Sequence, residues 1–442
     1  MDRRSFIKSI GLGAVATSAP LTATTAKAAS SVYKIAIVGG GFAGASIAKY
    51  LKLWGQNQVE VTLLDANTSH VSCILSNLVL NDQKTLTNLT FPLSNTASKN
   101  HFIFKQGKVT AIDRLNRKVL ATASNKSQFT LDYDKLILAP GIDFIFPSGM
   151  NPSLPDLSTP IPHAWKAGAQ TTNLRDQLKK LPADGSAKVI MTIPKMPYRC
   201  PPGPYERACL IADYLKTRKR GGSLIVFDAN PGIMAEPINF NIAFTQYYPN
   251  IIQYIPNQAV FDVMATTQFA SKSITVTDGS NYRTEQCHLL NVIPNQKAPQ
   301  LLFDAGLIDT ANNKLWAGVH VDTYQSLFDP DIYVIGDAHD SNQPKAGHIA
   351  NSEAKVCADA LLRNLGLRPL RVMPDEAPVT NSACYSPITA SKASFLTAGF
   401  RYDMATDKML RVDASFGEAE TINSDNYKMM LAWANNLFAE VF

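Results

Sequence analysis

Beyond its N-terminus, no stretch of this sequence is apolar for long enough to span a membrane, which takes about 20 residues. None of its six cysteines stands in C-x-x-C spacing, which argues against a zinc ribbon or a local dithiol motif. Without C-x-x-C-H the chain offers no attachment point for a c-type haem. Charged residues are scarce, 18% against 45% apolar, the reverse of an intrinsically disordered chain. Neither sign dominates: of the formal +6, Arg3, Arg4, Lys8 and Lys27 against Asp2 supply +3, leaving +3 for the remainder. That balance gives no electrostatic footprint for a nucleic-acid partner. The cluster Lys216, Arg218, Lys219 and Arg220 reads instead as the solvated, dipole-favoured C-terminus of a helix.

The N-terminus does carry a pattern. Asp2-Arg3-Arg4-Ser5-Phe6-Ile7-Lys8 reads as a twin-arginine export signal, followed by a short apolar stretch over 10–16 and a small-x-small site at Ala26-Lys27-Ala28. Residues 1–28 are therefore expected to be a signal peptide, with the mature chain starting near Ala29. The expected destination is the periplasm, reached folded and with any cofactor already in place. Disulfides persist there.

Residues 32–38 (VYKIAIV) read as a buried parallel strand. Gly39, Gly41 and Gly44 follow at once in G-x-G-x-x-G spacing, then a helix over 45–53, a second strand over 59–64, and Asp65 about 20 residues past the glycines. Gly39 suits the tight turn, Gly41 the approach of a pyrophosphate, Gly44 the close seat of helix on strand, and Asp65 the ribose hydroxyls. Strand, glycines, helix, strand and acid in this order make a dinucleotide-binding unit of what would be weak evidence as a lone motif.

Two later segments resemble landmarks of two-dinucleotide flavoproteins of the glutathione-reductase kind. Residues 133–141 (YDKLILAPG) resemble the strand and turn where the chain leaves the FAD domain, with Pro140 where that family commonly has Thr. Residues 331–338 (DIYVIGDA) resemble the strand that returns to FAD. The resemblance implies FAD, with Gly141, Gly336 and Asp337 among its binding residues, Asp337 on the ribityl chain, and a helix over 349–362 aimed at the isoalloxazine. A second glycine motif is missing. After the strand over 187–193 comes PKMPYRCPPGPYER (194–207), whose prolines lack N–H donors and fix φ, so no amide cradle forms for NAD(P)H. A helix over 208–216 and a strand over 223–228 still follow.

The strings around Cys73 (SCILSN), Cys200 (YRCPPGPYERA) and Cys384 (ACYS), with HAWKAG (163–168) and WANN (433–436), resemble the flavoprotein subunit of flavocytochrome c sulfide dehydrogenase. The resemblance covers essentially the whole mature chain. It implies an α/β fold with two dinucleotide-type domains, the second without its NAD(P)H motif, and a C-terminal α+β interface domain. The expected divisions are 29–165 and 296–370 for FAD, 166–295 for the second Rossmann-like domain, and 371–442 for a flavin-covering segment, loop-rich with short strands such as 393–397 and 409–412, ending in a helix over 427–442.

The same resemblance assigns roles. Cys73 would hold FAD through an 8α-thioether; the other reading is a buried apolar thiol. Cys200 and Cys384 would form a redox disulfide open to sulfide, which attacks it to leave a persulfide and a thiolate; a purely structural disulfide is the other reading. Glu206 would accept a proton or be a surface glutamate. Arg199 and Arg207 would attract HS⁻ or form ion pairs. Cys209 and Cys357 are expected to be inert and buried, and Cys287 has no assigned role. No metal site is expected. The implied partner is a c-type cytochrome subunit carrying haem, in a heterodimer. Two rival readings remain: a sulfide:quinone oxidoreductase, set back by a terminal helix whose one cation is Lys428, and a non-catalytic flavin-binding partner of a cytochrome.

Overall fold

The computed structural model describes residues 32–442, so the export signal expected over 1–28 lies outside the described residues. The β-branched strand Tyr33–Val38 is buried from Ile35 onward and becomes an inner strand of a six-stranded sheet. Its order is Gln325–Ser326, Asp329–Val334, Lys135–Leu138, Tyr33–Val38, Val59–Asp65, Ile103–Gln106. Every neighbouring pair is parallel except the outermost, Gln325–Ser326 against Asp329–Val334. Near-continuous apolar strands are what a sheet covered on both faces requires. Helices Phe42–Gly55 and Gly347–Asn364 pack along each other beside it.

A second, four-stranded parallel sheet is built from Ile252–Ile255, Ser223–Asp228, Lys188–Ile193 and Leu289–Val292. The two chain crossings between the sheets pair with each other, Asp143–Ile145 antiparallel to Asn295–Lys297. The crossover helix of the second unit runs Gly203–Arg218, five residues earlier than its sequence suggests. Its first turn has no intrahelical N–H bonds to lose, so Pro204 fits there. The proline string that rules out a phosphate turn is thus itself the start of the helix. The basic cluster at its far end is not simply solvated: Lys219 is buried and donates to the carbonyls of Lys179 and Leu181.

In the C-terminal segment the strands expected over 393–397 and 409–412 are present but far longer, and a third precedes them, so the cover is sheet and not loop-rich. Val379–Pro387, Ala393–Asp403 and Lys408–Glu418 form one antiparallel sheet of long strands. Its polar outer positions and small inner serines hide the two-residue period from a sequence reading. Helix Ser424–Val441 follows, capped by Asn423, whose side chain accepts the Asn426 N–H at 2.8 Å. Met430, Ala434, Leu437, Phe438 and Val441 recur on its buried face.

Candidate active site

One cavity of ≈ 1350 Å³ connects the first glycine turn to the cysteines. At the glycine end each Gly has a distinct physical reason. A Cβ on Gly39 would meet the Ala139 carbonyl oxygen at 2.3 Å, and one on Gly44 would meet Gly39 O at 1.8 Å. Gly41 meets nothing closer than the His70 ring at 3.6 Å and faces the open cavity, where a phosphate would approach. Asp65 lines the same end, but its Oδ2 accepts the Gly40 N–H at 2.7 Å and its Oδ1 the Asn67 N–H at 2.8 Å. It therefore shapes the turn, and its carboxylate borders the cavity where a ribose would lie. Gly141 and Gly336 both have positive φ and line the cavity.

The residues present fit a dinucleotide cofactor. Asp337 Oδ1, His70 Nε2, Arg199 Nε, Trp165 Nε1 and Trp433 Nε1 are buried without a protein partner, and all five residues line this cavity. Orphaned polar atoms of this density need a polar occupant. Burial raises the Asp337 carboxyl above the usual range, which suits it to donate to or share a proton with a hydroxyl-bearing chain. Helix Gly347–Asn364 brings Gly347 and His348 at its N-terminus to the cavity wall.

At the other end Cys73, Cys200, Cys384 and Glu206 all line the wall. Cys200 and Cys384 are distant along the chain, one on the loop before helix Gly203–Arg218, the other on strand Val379–Pro387. Burial above all, and then the charge of Cys384, raises the Cys200 pKa well above the usual thiol range. The structure draws no bond between them, so the expected disulfide is not shown. Cys200 has a left-handed backbone, φ +59°, held by its N–H bond to Lys345 O at 2.6 Å. Gly203 makes room for its sulfur, since a Cβ there would lie 2.8 Å from Cys200 Sγ and 3.0 Å from the Trp165 ring. Cys73 Sγ lies 3.7 Å from the Trp165 carbonyl oxygen.

Glu206 is buried, not a surface glutamate, and accepts the Asn77 side-chain N–H at 2.9 Å. Burial raises its pKa to about 7, against the opposing pull of Asn77 and Arg207. Arg207 neither meets solvent nor forms an ion pair. Its guanidinium donates to the carbonyls of His163 and Ala164 and to the side chains of Asn77 and Asn291, clamping the 163–168 segment. Arg199 keeps an unpartnered Nε on the cavity and donates to the Trp165 carbonyl. Cys209, Cys287 and Cys357 are buried, with burial raising the pKa of each. Among the described residues no group of His, Cys, Asp and Glu is placed to hold a metal ion, and no helix is long and apolar enough to cross a membrane.

Sequence reasoning missed Lys345, His348 and Glu236. Lys345 donates to the carbonyls of Asp337 and His339 while its own carbonyl holds Cys200, joining the two ends of the site. His348 Nδ1 accepts the Ala383 N–H at 2.9 Å, next to Cys384. No spacing marks them beforehand: Lys345 and His348 flank the start of helix Gly347–Asn364, and Glu236 precedes helix Pro237–Ile242.

Residues 171–294 match the family described as the central part of the sulfide dehydrogenase [flavocytochrome c] flavoprotein chain. Residues 33–184 match the pyridine nucleotide-disulphide oxidoreductase family. A stretch of 46 residues, 10% of this chain, is 46% identical to the sulfide dehydrogenase [flavocytochrome c] flavoprotein chain of Chlorobaculum thiosulfatiphilum and covers 94% of that sequence. Over 407 residues the chain is 22% identical to the mitochondrial sulfide:quinone oxidoreductase of Dictyostelium discoideum, covering 87% of this chain and 81% of that one. Among solved structures, the sulfide:quinone oxidoreductase of Aquifex aeolicus superposes with a TM-score of 0.74 at 16% identity, over 92% of this chain and 91% of that one. At such identities the full-length likenesses establish the fold.

Proposed function

We propose, from the premise that this chain is a flavoprotein of the sulfide dehydrogenase and sulfide:quinone oxidoreductase type, that it oxidises inorganic sulfide at Cys200 and Cys384 and passes the electrons through FAD to a c-type cytochrome. One observation carries this reading: the two cysteines and the buried Glu206 line the cofactor cavity where the second unit has a proline-filled loop in place of a nicotinamide-nucleotide turn. That loop gives NAD(P)H no amide cradle, so the reductant reaches the site directly.

The oxidised pair is a Cys200–Cys384 disulfide. HS⁻ attacks one of its sulfurs; the cysteine–cysteine bond breaks, a new S–S bond forms, and the other cysteine leaves as a thiolate. Glu206, poised near neutrality, takes up the proton that the sulfur gives up. Arg199 supplies a positive charge at the wall where the anion enters. When bound, FAD supplies the two-electron sink. Gly39, Gly41, Gly44 and Asp65 would hold its pyrophosphate and ribose, Asp337 its ribityl chain, and Cys73 would anchor it covalently.

The family match over 171–294 favours cytochrome as acceptor, and so does helix Ser424–Val441, whose Lys428 pairs with Asp425 and leaves no basic face for lipid. The likeness in fold to sulfide:quinone oxidoreductase supports the second reading, quinone as acceptor. Purified protein assayed with a c-type cytochrome should show sulfide-dependent haem reduction; silence at every pH from about 6 to 9 would overturn the proposal. Reduction of quinone in lipid with none of cytochrome would select the second reading. Export by the twin-arginine route to the periplasm is part of the same proposal. Replacing Arg3 and Arg4 by Lys should leave the protein in the cytoplasm, and unchanged export would refute it.

A further inference from the structure

Glu236 is a carboxyl that this dithiol chemistry does not use. It is completely buried at the N-terminal border of the short helix Pro237–Ile242, with φ +50°, a left-handed backbone that costs a non-glycine residue strain. Ser386 Oγ donates to its Oε1 at 2.6 Å, while Oε2 has no partner. Burial, strain and an orphaned oxygen fall on one residue, and among the described residues no ion pair offsets them. Ser386 stands two positions after Cys384 on strand Val379–Pro387, so the two side chains share a face. Ser382, two positions before, has its Oγ 3.9 Å from Cys384 Sγ. A sealed carboxyl thus sits at the end of a polar stripe that contains the redox sulfur.

We propose that Glu236 is a positioning residue acting through Cys384: protonated, it leaves the Cys384 thiolate unopposed, and ionised, it disfavours that thiolate, so the gain in Cys384 reactivity with rising pH stalls where Glu236 gives up its proton. The inference rests on the dithiol reading of the site. The groups facing Glu236 come from every neighbouring element. They are Cys384 and Ser386 on its partner strand, Ser394 on Ala393–Asp403, Glu418 on Lys408–Glu418, and Glu206 and Cys209 on Gly203–Arg218. None is a cation. Burial first, with the charges of Glu418 and Glu206, holds the Glu236 carboxyl at about 8 against the hydrogen bond from Ser386. Burial and then Glu236 push Cys384 up to about 12. Below pH 8 Glu236 is neutral and adds nothing to the penalty; above it, loss of one proton to the medium places a like charge beside the sulfur. No electron moves in this step.

The test follows iodoacetamide labelling of Cys384, read by peptide mass spectrometry, in the reduced holoprotein from about pH 6 to 10. In the wild type the rate should climb about tenfold per pH unit, flatten over about one unit near pH 8, and then resume. In Glu236→Gln the climb should continue unbroken, leaving that variant about tenfold faster at the alkaline end. Superimposed curves would overturn the proposal. A wild-type curve without flattening would overturn it too, and that measurement stands even if Glu236→Gln does not fold. Labelling needs no sulfide. A flattened curve in a protein inert to sulfide would support the action of Glu236 on Cys384 while sinking the sulfide reaction.

Discussion

Gly203 and Glu206 show how much a single position decides in this site. The missing Cβ of Gly203 is what lets the Cys200 sulfur and the Trp165 ring occupy adjacent space. Gly203→Ala should therefore displace the sulfur without touching the glycine turn at the far end. Stopped-flow measurement should show sulfide-driven flavin reduction slowed by ~10²-fold, the penalty for a displaced reacting group, with the flavin content retained. Glu206 makes a prediction about pH. Its folded pKa of about 7 lies above the ordinary glutamate value of 4.5, so the native state holds the proton more tightly. The resulting penalty on folding is absent below pH 4.5, grows as the pH rises to about 7, and is constant above. It reaches at most about 3 kcal/mol. Glu206→Gln should melt at higher temperature than wild type at pH 8, and that gain should vanish at pH 4.

Among the elements, helix Ser424–Val441 closes the glycine end. Phe438 and Phe442 pack on Phe42 at the head of helix Phe42–Gly55, and Phe442 stacks on His70 at 5.1 Å. Glu440 ties the helix down, accepting from Tyr50 Oη at 2.6 Å and pairing with Lys355 Nζ at 2.7 Å. Burial alone would raise its pKa, but the bonds from Lys355 and Tyr50 outweigh it and hold the carboxyl at about 2. The stability it contributes is present above pH 4.5 and is lost as the pH falls through about 2. Because the group is partly exposed, Glu440→Ala should cost no more than about 1–2 kcal/mol. Limited proteolysis should release the C-terminal helix faster from that variant at pH 7, and the difference should shrink toward pH 2. The identity of this helix was legible from its apolar spacing. Of the three long strands before it, the sequence showed only short pieces of the second and third, over 393–397 and 409–412, and none of the first, because inward positions carry Thr380, Ser382, Ser386 and Ser394 in place of apolar residues.

For the molecule as a whole, the cofactor is part of the folded state. The Asp337, His70 and Arg199 atoms that lack a protein partner are a cost that a bound polar cofactor relieves. If Cys73 carries the flavin, acid precipitation should leave the yellow colour in the pellet of the wild type and in the supernatant of Cys73→Ser. The melting temperature of that variant should then rise with added FAD, by RT ln(1 + [FAD]/Kd) expressed as free energy. Colour wholly in the wild-type supernatant would reject the thioether. The first dinucleotide unit was readable residue by residue, because its glycines are demanded by local backbone contacts within one strand–turn–helix unit. The loss of the second nucleotide turn was equally readable, since proline acts on its own backbone wherever it stands.

Sequence by itself determined what depends on neighbours along the chain: the glycine turn at Gly39–Gly44, the proline loop, the strands buried on both faces, and the acid after the second strand. Tertiary structure alone decided what depends on neighbours in space. It brought Cys200 and Cys384 from two separate elements to one wall, buried Glu206, turned Arg207 into a clamp, and bonded Glu236 to Ser386, two positions along the strand from Cys384. The physical reason is range. Backbone sterics act over a few bonds and leave a pattern in the sequence, whereas desolvation and charge act across whatever the fold places a few ångströms apart.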